Sequence, residues 1–149
     1  MKPTVFTRSC EIAAPAEALR DWHFAPGAFE KLVPPWEPIT PLVPLRGMTE
    51  GAVAVFAQNF GPFSLPWIAR HHLHAEGFTD VQVWGPFASW EHRHEFLAIS
   101  PNSSRLVDTI HYRLPGGWIG ALVGGWFVRR KLEKMFDYRH RVTREAFCA

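Results

Sequence analysis

From Trp36 to Leu114 the chain is a series of short alternating runs cut by Gly, Pro and Ser; from Ile119 to Phe147 it follows one helical pattern. This contrast limits the fold more than any other feature. The runs cover Glu37–Leu45, Ala52–Phe60, Leu65–Glu76, Phe78–Trp84, Ser89–Ile99 and Arg105–Leu114. They are separated by Gly47/Gly51, Gly61-Pro62, Glu76-Gly77, Gly85-Pro86 and Ser100–Ser104. Separations this short make hairpins, so the strands should form an antiparallel meander.

Ahead of them, Thr4–Ile12 alternates as a first strand, and Ala14-Pro15-Ala16-Glu17 opens a helix with Pro15 at a tolerated first-turn position. Pro26-Gly27 ends that helix, and Ala28–Val33 forms a second short one stopped by Pro34-Pro35. Pro115-Gly116-Gly117 closes the strand region before the long helix, which Gly120, Gly124 and Gly125 weaken early. The expectation is an α+β fold over 1–149 as a single domain. A bent antiparallel sheet grips the C-terminal helix around an internal, partly polar ligand cavity.

A chain of 149 residues with 47% hydrophobic and 20% charged side chains has the composition of one globular domain. Seven Trp and 12 Phe suit a wide interior or a dense core. A net charge of +2 without an arginine-rich stripe argues against a nucleic-acid partner. Cys10 and Cys148 lie near opposite ends with no CxxC spacing, and no apolar leader follows basic residues at the N-terminus. Reduced thiols in a cytoplasmic protein are the natural reading.

Successive strand residues face opposite sides of a sheet, so alternation shows which side chains turn inward. Leu65, Trp67, Ala69, His71, Leu73 and Ala75 share the buried side, with His71 as its polar exception. A two-residue loop at Glu76-Gly77 would set Ala75 opposite Phe78, Leu73 opposite Asp80 and His71 opposite Gln82. Trp90, His92, His94, Phe96 and Ala98 share one face of the next strand, and Leu106, Asp108, Ile110, Tyr112 and Leu114 one face of its partner. A five-residue loop over Ser100–Ser104 would pair Phe96 with Asp108, His94 with Ile110 and His92 with Tyr112. Along the helix, Val128, Leu132, Met135 or Phe136, Arg139, Val142 and Ala146 form the apolar stripe. Arg139 interrupts it and should meet a carboxylate, Asp80 or Asp108.

The candidate ligand-binding residues are therefore Trp67, His71, Asp80, Gln82, Trp90, His92, His94, Phe96, Asp108, Tyr112, Phe136 and Arg139. Such a polar strip in an aromatic wall can orient a ligand or move protons, or it can close on itself as a structural network. His92-x-His94, completed by Asp108 or His71, has the residue types of a zinc site, but a lone HxH is weak; no metal and no cofactor are expected. Neither cysteine nor any serine has the context of an activated nucleophile. The uncharged stretch Trp118–Val128, followed by Arg129-Arg130-Lys131, is too short to span a bilayer. Its plain reading is the buried start of the long helix. The alternatives are a cavity gate, a homodimer contact or a membrane-touching surface.

The motif Phe78-x-Asp80-x-Gln82-x-x-Gly85-Pro86-Phe87-x-x-Trp90-x-His92-x-His94-x-Phe96 resembles a bacterial branch of the START-like (SRPBCC) superfamily, the ligand-binding polyketide cyclase/dehydrase-like proteins. Ala14-Pro15, Pro34-Pro35-Trp36, Asp108-x-x-x-Tyr112-x-Leu114-Pro115 and Phe136-x-Tyr138-Arg139 add to the resemblance. It implies the helix-grip fold, with seven antiparallel strands and two short helices after the first. It also implies a hydrophobic small-molecule ligand such as a lipid, polyketide or aromatic compound. Binding or transport is the first functional reading. A cyclase or dehydrase using His92 or His94 as base, with Asp108 or Arg139 steering charge, is the second. An interaction or regulatory module is the third.

Overall fold

The computed structural model describes residues 2–37, 39–43, 47–60 and 62–148. Pro38, Pro44 and Leu45 of the expected second strand, and Gly61 of the turn after the third, lie outside the described residues. Strand β1 spans Thr4–Ile12, followed by helices α1 (Ala16–Phe24) and α2 (Ala28–Leu32). Strands β2 (Ile39–Val43), β3 (Val53–Phe60), β4 (Phe63–His74), β5 (Gly77–Trp84), β6 (Ser89–Ser100) and β7 (Ser103–Arg113) come next, and α3 (Gly117–Ala146) ends the series.

The seven strands form one sheet in the order β1-β7-β6-β5-β4-β3-β2, with every neighbouring pair antiparallel. β1 and β2 are opposite edges, so α1 and α2 carry the chain from one edge to the other. This is the expected α+β helix-grip architecture. Pro15 precedes α1 in extended geometry, and Gly116 precedes α3 at φ 81°, a left-handed position that favours glycine. Among the described residues no helix is long and apolar enough to cross a membrane. Cys10 and Cys148 are free thiols.

Two expected registers are corrected. His71 lies opposite Asp80 and Leu73 opposite Phe78, because Ala75 and Glu76 make the turn. Gly77 belongs to the ladder instead: a Cβ there would come within 2.1 Å of the His94 carbonyl oxygen. Likewise Pro101-Asn102 makes the β6–β7 turn, tightened by the Ser100–Ser103 hydroxyl contact at 2.8 Å. His94 therefore faces Asp108, His92 faces Ile110 and Phe96 faces Leu106. Both corrections are shifts of two residues, which change partners and preserve faces.

The helix is also rotated from its expected setting. α3 buries Leu132, Phe136, His140 and Thr143, while Val142 is only partly covered and Ala146 is exposed. Only this C-terminal half is gripped. Trp118, Leu122, Val123, Trp126 and Phe127 stand 59–78% exposed, so the expectation of a buried helix start is wrong. The four-residue spacing of Leu132, Phe136 and His140 continues toward the N-terminus through Val128, Gly124 and Gly120, which are partly covered, while the large apolar side chains of that half lie off this row.

Two packed clusters flank the concavity. Ile12, Leu19, Phe78, Phe96 and Leu106 pack beneath α1; Phe6, Ile110, Tyr112, Leu132 and Phe136 pack beneath α3. Each large apolar side chain buried this way contributes roughly 1.5–3 kcal/mol. Between them the sheet keeps its histidines and aspartates.

Candidate functional site

The site begins at Asp108 on β7, which is 3% exposed. The corrected register sets His94 directly opposite it, with His92 two residues along the same face. His92 Nε2 donates to Asp108 Oδ1 at 2.8 Å, His94 Nδ1 to the same oxygen at 2.9 Å, and His140 Nε2 from α3 to Oδ2 at 2.6 Å. An ionised carboxylate only accepts, so each of these nitrogens carries a proton.

A second carboxylate extends the chain of bonds. His94 Nε2 donates to Asp80 Oδ2 at 3.3 Å, and His71 Nδ1 donates to Asp80 Oδ1. His94 thus serves two carboxylates with its two ring nitrogens, a requirement only the imidazolium meets.

Electrostatics follow from this wiring. Burial alone would raise both aspartates, but hydrogen bonds from His71 and His94 hold Asp80 below the usual carboxylate range, and those from His140, His92 and His94 hold Asp108 well below it. Burial pulls His94 down, yet its bonds to Asp108 and Asp80 win and its pKa rises. His140 behaves in the same way, with burial outweighed by Asp108 and the Cys10 side chain, and reaches about 9. His92 goes the other way: burial and the charge of His94 lower it to about 4 despite Asp108. His23, buried under α1 with its Nδ1–H directed at the Leu19 carbonyl at 2.9 Å, is lowered by burial to about 4.

Above this network lies an internal space of about 130 Å³. Eight of the twelve candidate residues border it: Trp67, His71, Asp80, Trp90, His92, His94, Phe136 and Arg139. Four do not. Gln82 turns aside to hold the following loop, donating from Nε2 to the Phe87 carbonyl at 2.9 Å. Phe96 is consumed by the cluster under α1, and Tyr112 by the one under α3. Asp108 lies below the cavity floor, covered by its three histidines.

Arg139 also departs from expectation. Among the described residues no carboxylate lies within ion-pair distance of it. Its guanidinium sits over the Phe136 ring at 5.3 Å, and its Nε is buried without a hydrogen-bond partner. Nε2 of His71, a residue 3% exposed, is likewise buried and unpartnered. Both residues border the cavity.

Sequence reasoning missed His140, which lies four residues beyond Phe136 on the buried stripe, and Gln58, which continues the inward alternation of Ala54 and Phe56. It also missed Glu37, 8% exposed, which accepts from Gln58 Nε2 at 3.2 Å and Lys131 Nζ at 3.1 Å. Glu37 and Gln58 line an outer pocket of about 270 Å³ with Pro86, Phe87, Leu114, Phe127 and Val128, while His140 stays with Asp108. Inner and outer spaces share Gln58, Trp67, Trp90 and Met135. Asp80, His92 and His94 bring donor atoms within 4.8 Å of one another, close enough for an ion. Each already bonds within the network, and an ion would have to displace those bonds.

Fold and site together define an α+β helix-grip architecture, a seven-stranded antiparallel sheet closed over one long helix with a cavity between them. No family model and no curated protein matches the sequence. Among solved structures, a nucleoside-diphosphate sugar epimerase from Corynebacterium glutamicum is 28% identical with a TM-score of 0.72. The match covers 94% of this chain, which spans only 28% of the epimerase chain. An aromatase/cyclase from a Streptomyces species matches at 17% identity and TM-score 0.63, over 97% of this chain and 90% of that one. A START superfamily protein from Mycobacterium smegmatis matches at 19% and 0.57, over 93% and 96%. At such identities these last two show the fold alone.

The histidine shifts predict a stability maximum. His140, with a folded pKa of about 9 against an ordinary 6.5, stabilises fully below pH 6.5 and loses that contribution as pH rises through 9. His23 and His92, at about 4, contribute fully above 6.5 and lose it as pH falls through 4. Urea midpoints should therefore peak near pH 6.5, and His140 accounts for up to roughly 3 kcal/mol of the alkaline loss. His140→Gln should make the alkaline limb shallower; an unchanged limb would contradict the assignment.

Proposed function

We propose that the chain binds or carries a mostly apolar small molecule, of the lipid, polyketide or aromatic type, whose polar head enters the inner cavity. The observation that carries this reading is the pairing of an inner space holding unpartnered polar atoms with an adjoining apolar pocket. Neither space alone reaches the roughly 300–1,000 Å³ of an ordinary small-molecule site, but the two together do. Phe56, Trp67, Trp90 and Phe136 supply flat apolar contact in the inner wall, and Phe87, Leu114 and Phe127 extend it outward. The neighbours' fold, that of an aromatase/cyclase and a START superfamily protein among them, is compatible with this reading.

The test uses the cavity wall. Ala69 is buried and borders the inner space, so Ala69→Phe should fill it. Native mass spectrometry of the purified wild type should show a non-covalent adduct, or Nile red fluorescence should report binding, and Ala69→Phe should abolish either signal. Wild type that carries no adduct and binds no dye would overturn the reading.

Acid–base chemistry on the bound molecule is a second reading, favoured by His71. Both ring nitrogens of His94 are occupied, so it is not placed to act as the base expected from sequence, and His92, which donates to Asp108 through Nε2, is held at about 4 by burial and the charge of His94 and is a weak base. His71 borders the cavity, is oriented through Nδ1 by Asp80, and keeps Nε2 unpartnered among the described residues. In its neutral form that nitrogen accepts a proton, the arrangement of a general base held by a carboxylate. Enolisation moves a proton from carbon to Nε2 and leaves an enolate, and reversal returns a solvent proton. Deuterium wash-in at the α-carbon of benzylacetone should be accelerated by wild type and fall about a hundredfold or more in His71→Ala. Equal rates in the two proteins would remove this reading.

A further inference from the structure

The inner cavity is electrically unbalanced. Asp80 and Asp108 are matched by the imidazoliums of His94 and His140, and Glu37 is matched by Lys131 at 3.1 Å. Arg139 remains, with no carboxylate within ion-pair distance among the described residues. Whichever protonation state His71 takes, the groups around the cavity sum to at least one positive charge. Arg139 is only partly covered, but its Nε is buried without a partner among the described residues, and a guanidinium forms its strongest pairs with planar oxyanions.

We propose that the inner cavity is a recognition site for the acidic head, a carboxylate or a comparable oxyanion, of an apolar small molecule, with Arg139 as its counter-cation and His71 Nε2 as its second polar contact. This deepens the binding reading above and rests on it. Two independent observations point to the same ligand group: the buried, unpartnered Nε of Arg139, and the buried, unpartnered Nε2 of His71, 3% exposed. Both residues border one space of about 130 Å³. A cavity of roughly 150 Å³ holds a benzene ring, so this smaller one accepts a short acid group and leaves the ring or chain to the outer pocket.

The geometry also limits how else these atoms could be satisfied. Asp108 is saturated by His92, His94 and His140. Asp80 is engaged by His71 and His94. Burial lowers the pKa of Arg139, and Asp108, Asp80 and Glu37 oppose that only through space. A bound oxyanion answers the guanidinium directly, and His71 adds a hydrogen bond, as donor to an ionised head or acceptor from a protonated one. The tail then leads past Trp67 and Trp90, the wall shared with the outer pocket. The ligand class is an aryl or alkyl acid and not a neutral lipid.

The test compares hydrocinnamate with hydrocinnamide, which match in shape and differ in charge. Calorimetry at neutral pH is run on wild type, Arg139→Gln and Arg139→Lys, with folding verified by circular dichroism. Wild type should bind the acid roughly tenfold or more tighter than the amide. Arg139→Gln should erase that preference, and Arg139→Lys should keep part of it. Acid preference that survives Arg139→Gln, or wild type that binds the amide as tightly as the acid, overturns the proposal while leaving the binding reading intact. Wild type that binds neither compound, nor Nile red, overturns both.

Discussion

The structure depends on one buried carboxylate. Asp108 sits in the middle of β7, and removing it from water is tolerable only because three imidazole N–H groups close on it at 2.6–2.9 Å. Two of those groups come from β6 and the third from α3. The same charge therefore fixes a strand pairing and the docking of a helix. Two-thirds of this arrangement follows from strand register. The remaining third selects which face of α3 turns inward, with His140 aligned behind Leu132 and Phe136.

That wiring leaves a residue of unused chemistry. His94 is committed at both nitrogens and passes the network to Asp80, which in turn orients His71. The last member of the chain, His71, borders the cavity, and its Nε2 has no partner among the described residues. Arg139 is one residue before His140 on α3, so the rotation that seats His140 on Asp108 carries Arg139 to the cavity edge and away from both aspartates. A structural network and a ligand site are thus two ends of the same set of bonds. The stability of one end sets the charge and orientation of the other.

Much of the fold was legible in the sequence, because its signals are periodic. The change from a period of two to a period near 3.6 after Pro115-Gly116-Gly117 marks the sheet and the long helix. Inward faces were readable too, and survived both misplaced turns, since a shift of two residues preserves the pleat. Partners were not. Setting His94 against Ile110 instead of Asp108 hides the central ion pair, and nothing in Ser100–Ser104 says that Pro101-Asn102 alone forms the turn. The helix stripe failed for a related reason: Met135 and Arg139 and the neighbouring Phe136 and His140 both fit a helical spacing, and only the location of Asp108 decides between them. Phe96, Tyr112 and Asp108 lie buried on the inward face while Gln82 turns to the Phe87 loop, and depth below the cavity is a property of packing that alternation does not encode. Within Trp118–Val128 the exposure of Trp118, Leu122, Val123, Trp126 and Phe127 stood only among the alternatives, because an apolar run reads first as buried wherever the sheet ends.

The direct measurement of this account is the protonation of the ring nitrogens, read from long-range proton–nitrogen spectra of histidine-labelled protein across pH. His94 and His140 should keep both ring nitrogens protonated above the ordinary histidine pKa of 6.5, His140 up to about 9, while His92 and His23 carry a single ring proton until the pH falls to about 4. If His94 titrates at 6.5 like a free histidine, or loses one ring proton below it, then it does not join Asp80 to Asp108 and the network described here does not exist.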